Sequence, residues 1–287
     1  MRKDSFIRAD LHLHSTASDG ALTPRELVQR VANAGLRHMA LTDHETMGGL
    51  MEAETTAKQA GINFIPGVEI NTAGRDHVHV LLYFVDNSMT ELTTLLDNMR
   101  RERDARCGKI IDKLNELGIH ITLDDLDLPE GTVCGRPHIA NALMKRGYVS
   151  TTQEAFDRFL DVDQPAYVPR TRYETADIIR LARSIGAVPI LAHPGLIRNK
   201  ELVTEAAIQN LIEAGLMGIE AYHAMHDDET CAYWDQLTRR LGLIVTGGSD
   251  YHKDGDNHGA IGSEIPRWQR MDADVMDLVA IRKGREN

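Results

Sequence analysis

Long apolar runs, neighbouring cysteines and an excess of positive charge are all missing from this sequence, and each absence removes a class of protein. No run approaches the roughly 20 apolar residues of a membrane-spanning helix, so no membrane partner is expected. Met1-Arg2-Lys3-Asp4-Ser5 lacks the apolar stretch of a signal peptide and leads almost directly into a strand. Cys107, Cys134 and Cys231 are odd in number, far apart and in no Cys-x-x-Cys spacing. Neither a disulfide framework nor a thiolate zinc site is therefore expected, and a cytoplasmic location follows by default. The formal charge of −11 argues against a general polyanion binder, duplex DNA included. It leaves room for a phosphate substrate, because bound metal ions reverse the sign locally. No Walker-type loop, no Gly-x-Gly-x-x-Gly after a strand and no Gly-x-Ser-x-Gly elbow occurs.

What the chain does have is histidine, 13 of them in 287 residues, a length that suits one large α/β domain or a domain carrying an insertion. The stretch Ala9-Asp10-Leu11-His12-Leu13-His14-Ser15 alternates like a buried strand running into a loop. A period of two puts His12 and His14 on one face, where two imidazoles can converge on one metal ion. Asp19 adds an oxygen ligand from the loop. Buried histidines satisfied by hydrogen bonds are the alternative, and later segments weigh against it.

Thr23-Pro24-Arg25-Glu26 has the form of a capping box opening a helix that stops at Gly35. A strand over His38–Leu41 ends in Thr42-Asp43-His44. A helix over Gly49–Ala60 follows, then a strand delivering Glu69. A strand over His77–Tyr83 holds a second His-x-His, with His77 and His79 on one face. One long helix is expected from Thr90 to Gly118, with a break near Gly108 as an alternative. Parallel strands with helical crossovers are the expected arrangement. The rhythm changes between about Arg100 and Arg172, where short helices (Pro137–Arg146, Thr152–Leu160) and turns at Pro129-Glu130-Gly131 and Gln164-Pro165 replace strands. These residues hold twelve Lys/Arg and twelve Asp/Glu, so they, rather than the acidic remainder, are the expected meeting place for an anion. The expected division is a discontinuous barrel domain, 1–99 and 173–287, with an inserted helical cap, 100–172. Helices are expected over Ala176–Ser184, Leu202–Ala214, Asp228–Leu241 and Asp272–Arg282. Between them, three further strands lead to His193, His223 and Asp250-Tyr251-His252.

In parallel α/β folds, functional groups collect at the carboxyl ends of strands. His12, His14, Asp19, His44, Glu69, His79, His193, Asp250 and His252 all fall at or just beyond such ends, after six of seven strands. Six histidines and three carboxylates without a thiol suit manganese, iron or zinc. The order Asp-Leu-His-Leu-His-Ser…Ser-Asp-Gly, Thr42-Asp43-His44, Gly67-Val68-Glu69, His79, Ala192-His193-Pro194-Gly195 and Gly248-Ser249-Asp250-Tyr251-His252 resembles the PHP (polymerase and histidinol phosphatase) superfamily. The resemblance runs from about Asp10 to His252.

It implies a distorted seven-stranded (β/α) barrel with three divalent metal ions, manganese first and iron or zinc as alternatives. By position, one ion takes His12, His14, Glu69 and Asp250, a second Asp19, His44 and His252, and a third His79, His193 and a bridging Glu69. Aspartate at position 19 and the insert with Gly135-Arg136-Pro137-His138 look most like nucleotide and RNA-end phosphoesterases. The implied substrates are 3′,5′-bisphosphonucleosides or short RNA 5′ ends, with a cyclic ribose phosphate or a non-catalytic accessory module as alternatives. Three dications outweigh three carboxylates, which favours a phosphate and its attack by a metal-bridging hydroxide.

His223 and His252, beside Asp250, are the candidates for protonating the leaving oxygen, although His223 and His258 also fit a bystander's role. Arg136, His138 and Arg170 are the candidate substrate contacts, since a guanidinium fork suits phosphate geometry. His38, His77, His120 and His226 are expected to be structural or exposed. Oligomeric state has no signature in the sequence.

Overall fold

The computed structural model describes residues 8–72, 78–128, 134–169, 171, 173–255, 258–263 and 267–283. Among the described residues seven strands lie side by side in chain order: β1 (Ala9–Asp10), β2 (His38–Leu41), β3 (Asn63–Thr72), β4 (Val78–Tyr83), β5 (Val188–Leu191), β6 (Gly218–His223) and β7 (Ile244–Gly248). The first and last strands then meet. Leu11 N–H donates to the Gly247 carbonyl at 3.1 Å, and Leu13 bridges Tyr251, so the sheet curls into a nearly closed α/β barrel. Leu11 and Leu13 have no exposed surface. Burying a leucine contributes roughly 1.5–3 kcal/mol, so this segment has one register. His12 and His14 must then share the opposite face.

The strands are not all parallel. β4 pairs antiparallel with both β3 and β5. The reason is length: Thr72 pairs with Val78, and the few residues between them are far short of the dozen or so that a helical crossover needs. His79 therefore stands at the amino end of its strand, not the carboxyl end expected of it. Reversal of β4 brings it to the same rim of the barrel.

The helices among the described residues are α1 (Pro24–Asn33), α2 (Leu50–Ala60), α3 (Thr90–Glu116), α4 (Arg136–Lys145), α5 (Thr152–Ala155), α6 (Thr175–Ser184), α7 (Glu205–Ala214), α8 (Asp228–Arg240) and α9 (Met271–Lys283). In α1 the Thr23 hydroxyl accepts from Glu26 N–H, Glu26 accepts from Thr23 N–H, and Leu27, Val28 and Val31 are buried. The helix expected from Leu202 starts later. A 3₁₀ turn covers Lys200–Val203, and Thr204 caps α7 by accepting from Ala207 N–H.

The chain divides into two compact units, Met1–Thr93 with Arg172–Asn287, and Thr94–Thr171. The second has its own apolar core, to which Ile110, Leu114, Ile139, Leu143 and Leu160 belong. α3 runs unbroken through Gly108, because Cys107, Ile110, Ile111 and Leu114 are buried at helical spacing around it. α5 continues as a π turn over Phe156–Leu160.

The expectation of unpaired cysteines is overturned here. Cys107 and Cys134, 27 positions apart, are joined by a disulfide. Sequence spacing reports only neighbours along the chain, whereas folding brings Cys134, two residues before α4, against Cys107 on α3. Cysteine usage thus no longer argues for a reducing compartment. No helix among the described residues is long and apolar enough to cross a membrane.

Candidate metal centre

Every part of this centre belongs to the barrel unit. β1 leads into His12 and His14, both without exposed surface. His44, past β2, bridges Glu69 of β3, which is also fully buried. His193 follows β5 and Asp250 follows β7, each with positive φ (27° and 54°). Such backbone costs of order 1 kcal/mol and persists where the surroundings hold it. Here the His193 N–H donates to Glu220 Oε2 at 2.8 Å, and the Asp250 N–H donates to the His12 carbonyl at 2.9 Å.

Four of these side chains converge tightly. His12 Nε2 lies 3.2 Å from Glu69 Oε2 and 3.3 Å from Asp250 Oδ1. His14 Nε2 lies 3.2 Å and 3.1 Å from the same two oxygens. All four atoms are buried, and none has a hydrogen-bond partner. Asp19 forms a second grouping, with His252 Nε2 at 3.4 Å and His14 Nδ1 and His44 Nε2 each at 3.9 Å. On the other side of Glu69, Oε1 meets His79 Nδ1 at 2.6 Å and His193 Nε2 at 3.2 Å, while Oε2 also lies 3.1 Å from His44 Nδ1. One carboxylate thus faces two groups of imidazoles with its two oxygens. The nine residues singled out as ligands come together on one rim.

Electrostatics follow from burial. Removing an imidazole from water lowers its pKa, yet Asp250 and Glu69 outweigh that for His14 and push it up to about 10. His12 is raised as well, against its own burial, by Glu220, Asp250 and Glu69. Burial prevails at His44, which is held well below the usual range. Burial would raise Glu69 and Asp250, but the surrounding imidazoles hold both carboxyls well below theirs. Nitrogen and carboxylate donors without thiols can hold borderline divalent ions, and these residues fit such a group.

His223 ends β6 without exposed surface, its Nδ1 accepting from Met225 N–H at 3.1 Å and its Nε2 3.4 Å from Asp250 Oδ2. His258 also faces that oxygen, at 3.5 Å, and its ring stacks on His252 at 4.5 Å. His252 Nδ1 is 2.8 Å from the Asp250 carbonyl. Sequence reasoning missed three buried carboxylates behind these side chains. Asp10 accepts from Ser249 N–H at 2.9 Å and Gly262 N–H at 2.8 Å. Asp43 accepts from the Ser15 N–H and the Ser15 and Ser18 hydroxyls, each at 2.7 Å. Glu220 lies 3.1 Å from His12 Nδ1. The available signal for Glu220 was a charge inside the apolar strand Gly218-Ile219-Glu220-Ala221.

His226 is structural, as expected: buried, with Nδ1 3.1 Å from the Ala221 carbonyl and Nε2 accepting from Gly195 N–H at 3.1 Å. His38 lies beside Asn63, and His120 is exposed. Arg170, His77 and the turn at Pro129-Glu130-Gly131 lie outside the described residues. Arg136 and His138 belong to the other unit. There Arg136 donates to the Leu160 carbonyl at 3.1 Å and stacks over Phe156, and His138 Nδ1 accepts from Gly135 N–H at 3.0 Å.

Comparison with known proteins agrees with this geometry. The chain is similar to the 3′,5′-nucleoside bisphosphate phosphatase of Chromobacterium violaceum, with 31% identity over 93% of this chain and 97% of that one. It is 33% identical to a 5′-3′ exoribonuclease of Haemophilus influenzae, over 91% and 98% of the two chains. A solved structure from Bifidobacterium adolescentis, described as a metal-dependent phosphoesterase, matches with a TM-score of 0.84 and 30% identity over 97% of this chain and 98% of that one. The model of the PHP domain matches residues 10–220. With its ligand-type residues gathered at one end of a seven-stranded barrel, the chain belongs to the PHP domain family.

Proposed function

We propose that this chain is a metal-dependent phosphoesterase that hydrolyses phosphate esters of small nucleotides, the 3′-phosphate of 3′,5′-bisphosphonucleosides, or the 5′ ends of short RNA. One observation carries the metal dependence. His12 Nε2, His14 Nε2, Glu69 Oε2 and Asp250 Oδ1 are buried together without hydrogen-bond partners, an arrangement that a shared cation satisfies. In this reading His12, His14, Glu69 and Asp250 hold one ion, and Asp19, His44 and His252 a second, with His14 at its edge. His79, His193 and Glu69 would hold a third. Manganese is the first choice. When bound, such ions supply the positive field a phosphate requires and bring the pKa of water toward neutrality.

The chain's own residues do the rest. Because Met225 N–H donates to His223 Nδ1, the His223 proton sits on Nε2, aimed at Asp250 Oδ2. In that tautomer His223 donates to and orients Asp250, and the proton-donor role proposed for it requires the imidazolium form, with Nδ1 released from Met225 N–H. The Nε2 of His252 points to Asp19, on the ligand side. Arg136, His138 and Arg170 remain the substrate contacts we propose, on the chemistry of guanidinium and imidazole toward phosphate.

The test is release of phosphate from 3′,5′-bisphosphonucleosides, of mononucleotides from 5′-phosphorylated oligoribonucleotides and of phosphate from cyclic ribose phosphates, before and after chelation. Release from either of the first two, abolished by chelation and restored by manganese, is expected. Turnover that survives complete demetallation would overturn the metal dependence, and release from the cyclic substrate alone would overturn the substrate class.

A further inference from the structure

We propose that Glu220 is a positioning residue that sets the tautomer of His12 and the backbone of His193, and thereby prepares two ligands on two strands; this rests on the metal-centre reading above. Glu220 sits within β6, the one strand to which that reading assigns no ligand. It has no exposed surface. Its two oxygens lie 3.1 Å and 3.2 Å from His12 Nδ1, and Oε2 also accepts from the His193 N–H at 2.8 Å.

A carboxylate can only accept, so the contact requires hydrogen on His12 Nδ1. That orientation directs Nε2 at Glu69 Oε2 and Asp250 Oδ1, 3.2 Å and 3.3 Å away. The nitrogen facing the carboxylates is then the one that can give its lone pair to a cation, as in carboxylate–histidine–metal arrangements generally. The second contact acts on backbone. His193 has a φ of 27°, and its ring reaches Glu69 Oε1 at 3.2 Å. The hydrogen bond from its own N–H to Glu220 holds the turn that aims it there.

Packing and positioning make different predictions for Glu220→Gln. The amide matches the carboxylate in shape, so a packing role would leave metal binding unchanged. Its NH₂ group, however, would oppose one of two donors, His12 Nδ1–H or His193 N–H. The expected result is a roughly 10–100-fold loss of affinity for at least one ion, read by competition with a chromogenic chelator. The metal-free variant should still unfold cooperatively, lowered only by the cost of one opposed donor, and Glu220→Asp should recover part of the affinity.

A measurement on the unaltered protein needs no variant to fold. In the Zn²⁺-loaded chain, the ¹⁵N signals of His12 should show hydrogen on Nδ1 and coordination at Nε2. Coordination through Nδ1, or wild-type ion affinity in Glu220→Gln, would overturn the role of Glu220 and leave the metal centre standing. Failure of the wild-type chain to hold any ion would remove both.

Discussion

Glu69 carries more of the site than any other single residue. Its two oxygens face His12, His14 and His44 on one side and His79 and His193 on the other. Glu69→Gln should therefore remove ions rather than merely slow the reaction. We expect phosphate release to fall about 10³-fold or more, consistent with several kcal/mol of charge stabilisation, with a matching loss of metal in elemental analysis. Retained metal with lost activity would contradict that assignment. His226 makes a prediction about stability. Burial lowers its pKa from 6.5 to about 4. Above pH 6.5 it is neutral in both folded and unfolded chains. Below that the unfolded chain takes up the proton first, so stability falls with falling pH and the loss is complete near pH 4. At about 1.4 kcal/mol per pH unit this amounts to on the order of 3 kcal/mol. Urea unfolding at a series of pH values should show that slope in the wild type and a shallower one in His226→Gln.

At the scale of the elements, the site depends on how closely β7 approaches the segment after β1. A Cβ on Gly248 would lie 2.3 Å from His12 Cβ and 2.5 Å from His12 N. Backbone, not a flexible tip, stands in the way. Gly248→Ala should cost roughly 1–3 kcal/mol or more and displace His12, measured as lower unfolding temperature together with weaker metal binding. The cap of α1 is a contrast, because it lies on the surface. Thr23→Ala should cost about 1 kcal/mol in thermal unfolding while leaving phosphate release unaltered. An effect on turnover would mean that α1 does more than support the barrel. The capping box was plain in the sequence, since Thr23, Pro24 and Glu26 act on one another within one turn. The direction of β4 was not. Alternating apolar residues announce a strand but carry no sign, and pairing with both neighbours decided which way it runs.

For the whole molecule, the Cys107–Cys134 disulfide closes a loop across the 27-residue separation within the Thr94–Thr171 unit. Paired replacement by serine should destabilise that unit by roughly 3–4 kcal/mol on the chain-entropy estimate, read by hydrogen exchange of α3 and α4. Unchanged exchange would show that the apolar core around Ile110 and Leu143 suffices alone. The family, the barrel rhythm and the nine ligand-type residues were legible in the sequence. His12, His14, Glu69 and Asp250 stand in local patterns, and a strand's period of two says which neighbours share a face. What only the tertiary structure decided was contact between distant segments: the disulfide, the closing of β1 on β7, and Glu220 behind His12, 208 positions away. A linear pattern records which residues alternate and what caps a helix, because those forces act over a few residues. Partners brought together by the closing of a sheet leave no mark on spacing, and their roles become visible only when burial removes water and demands a hydrogen bond or a charge in its place.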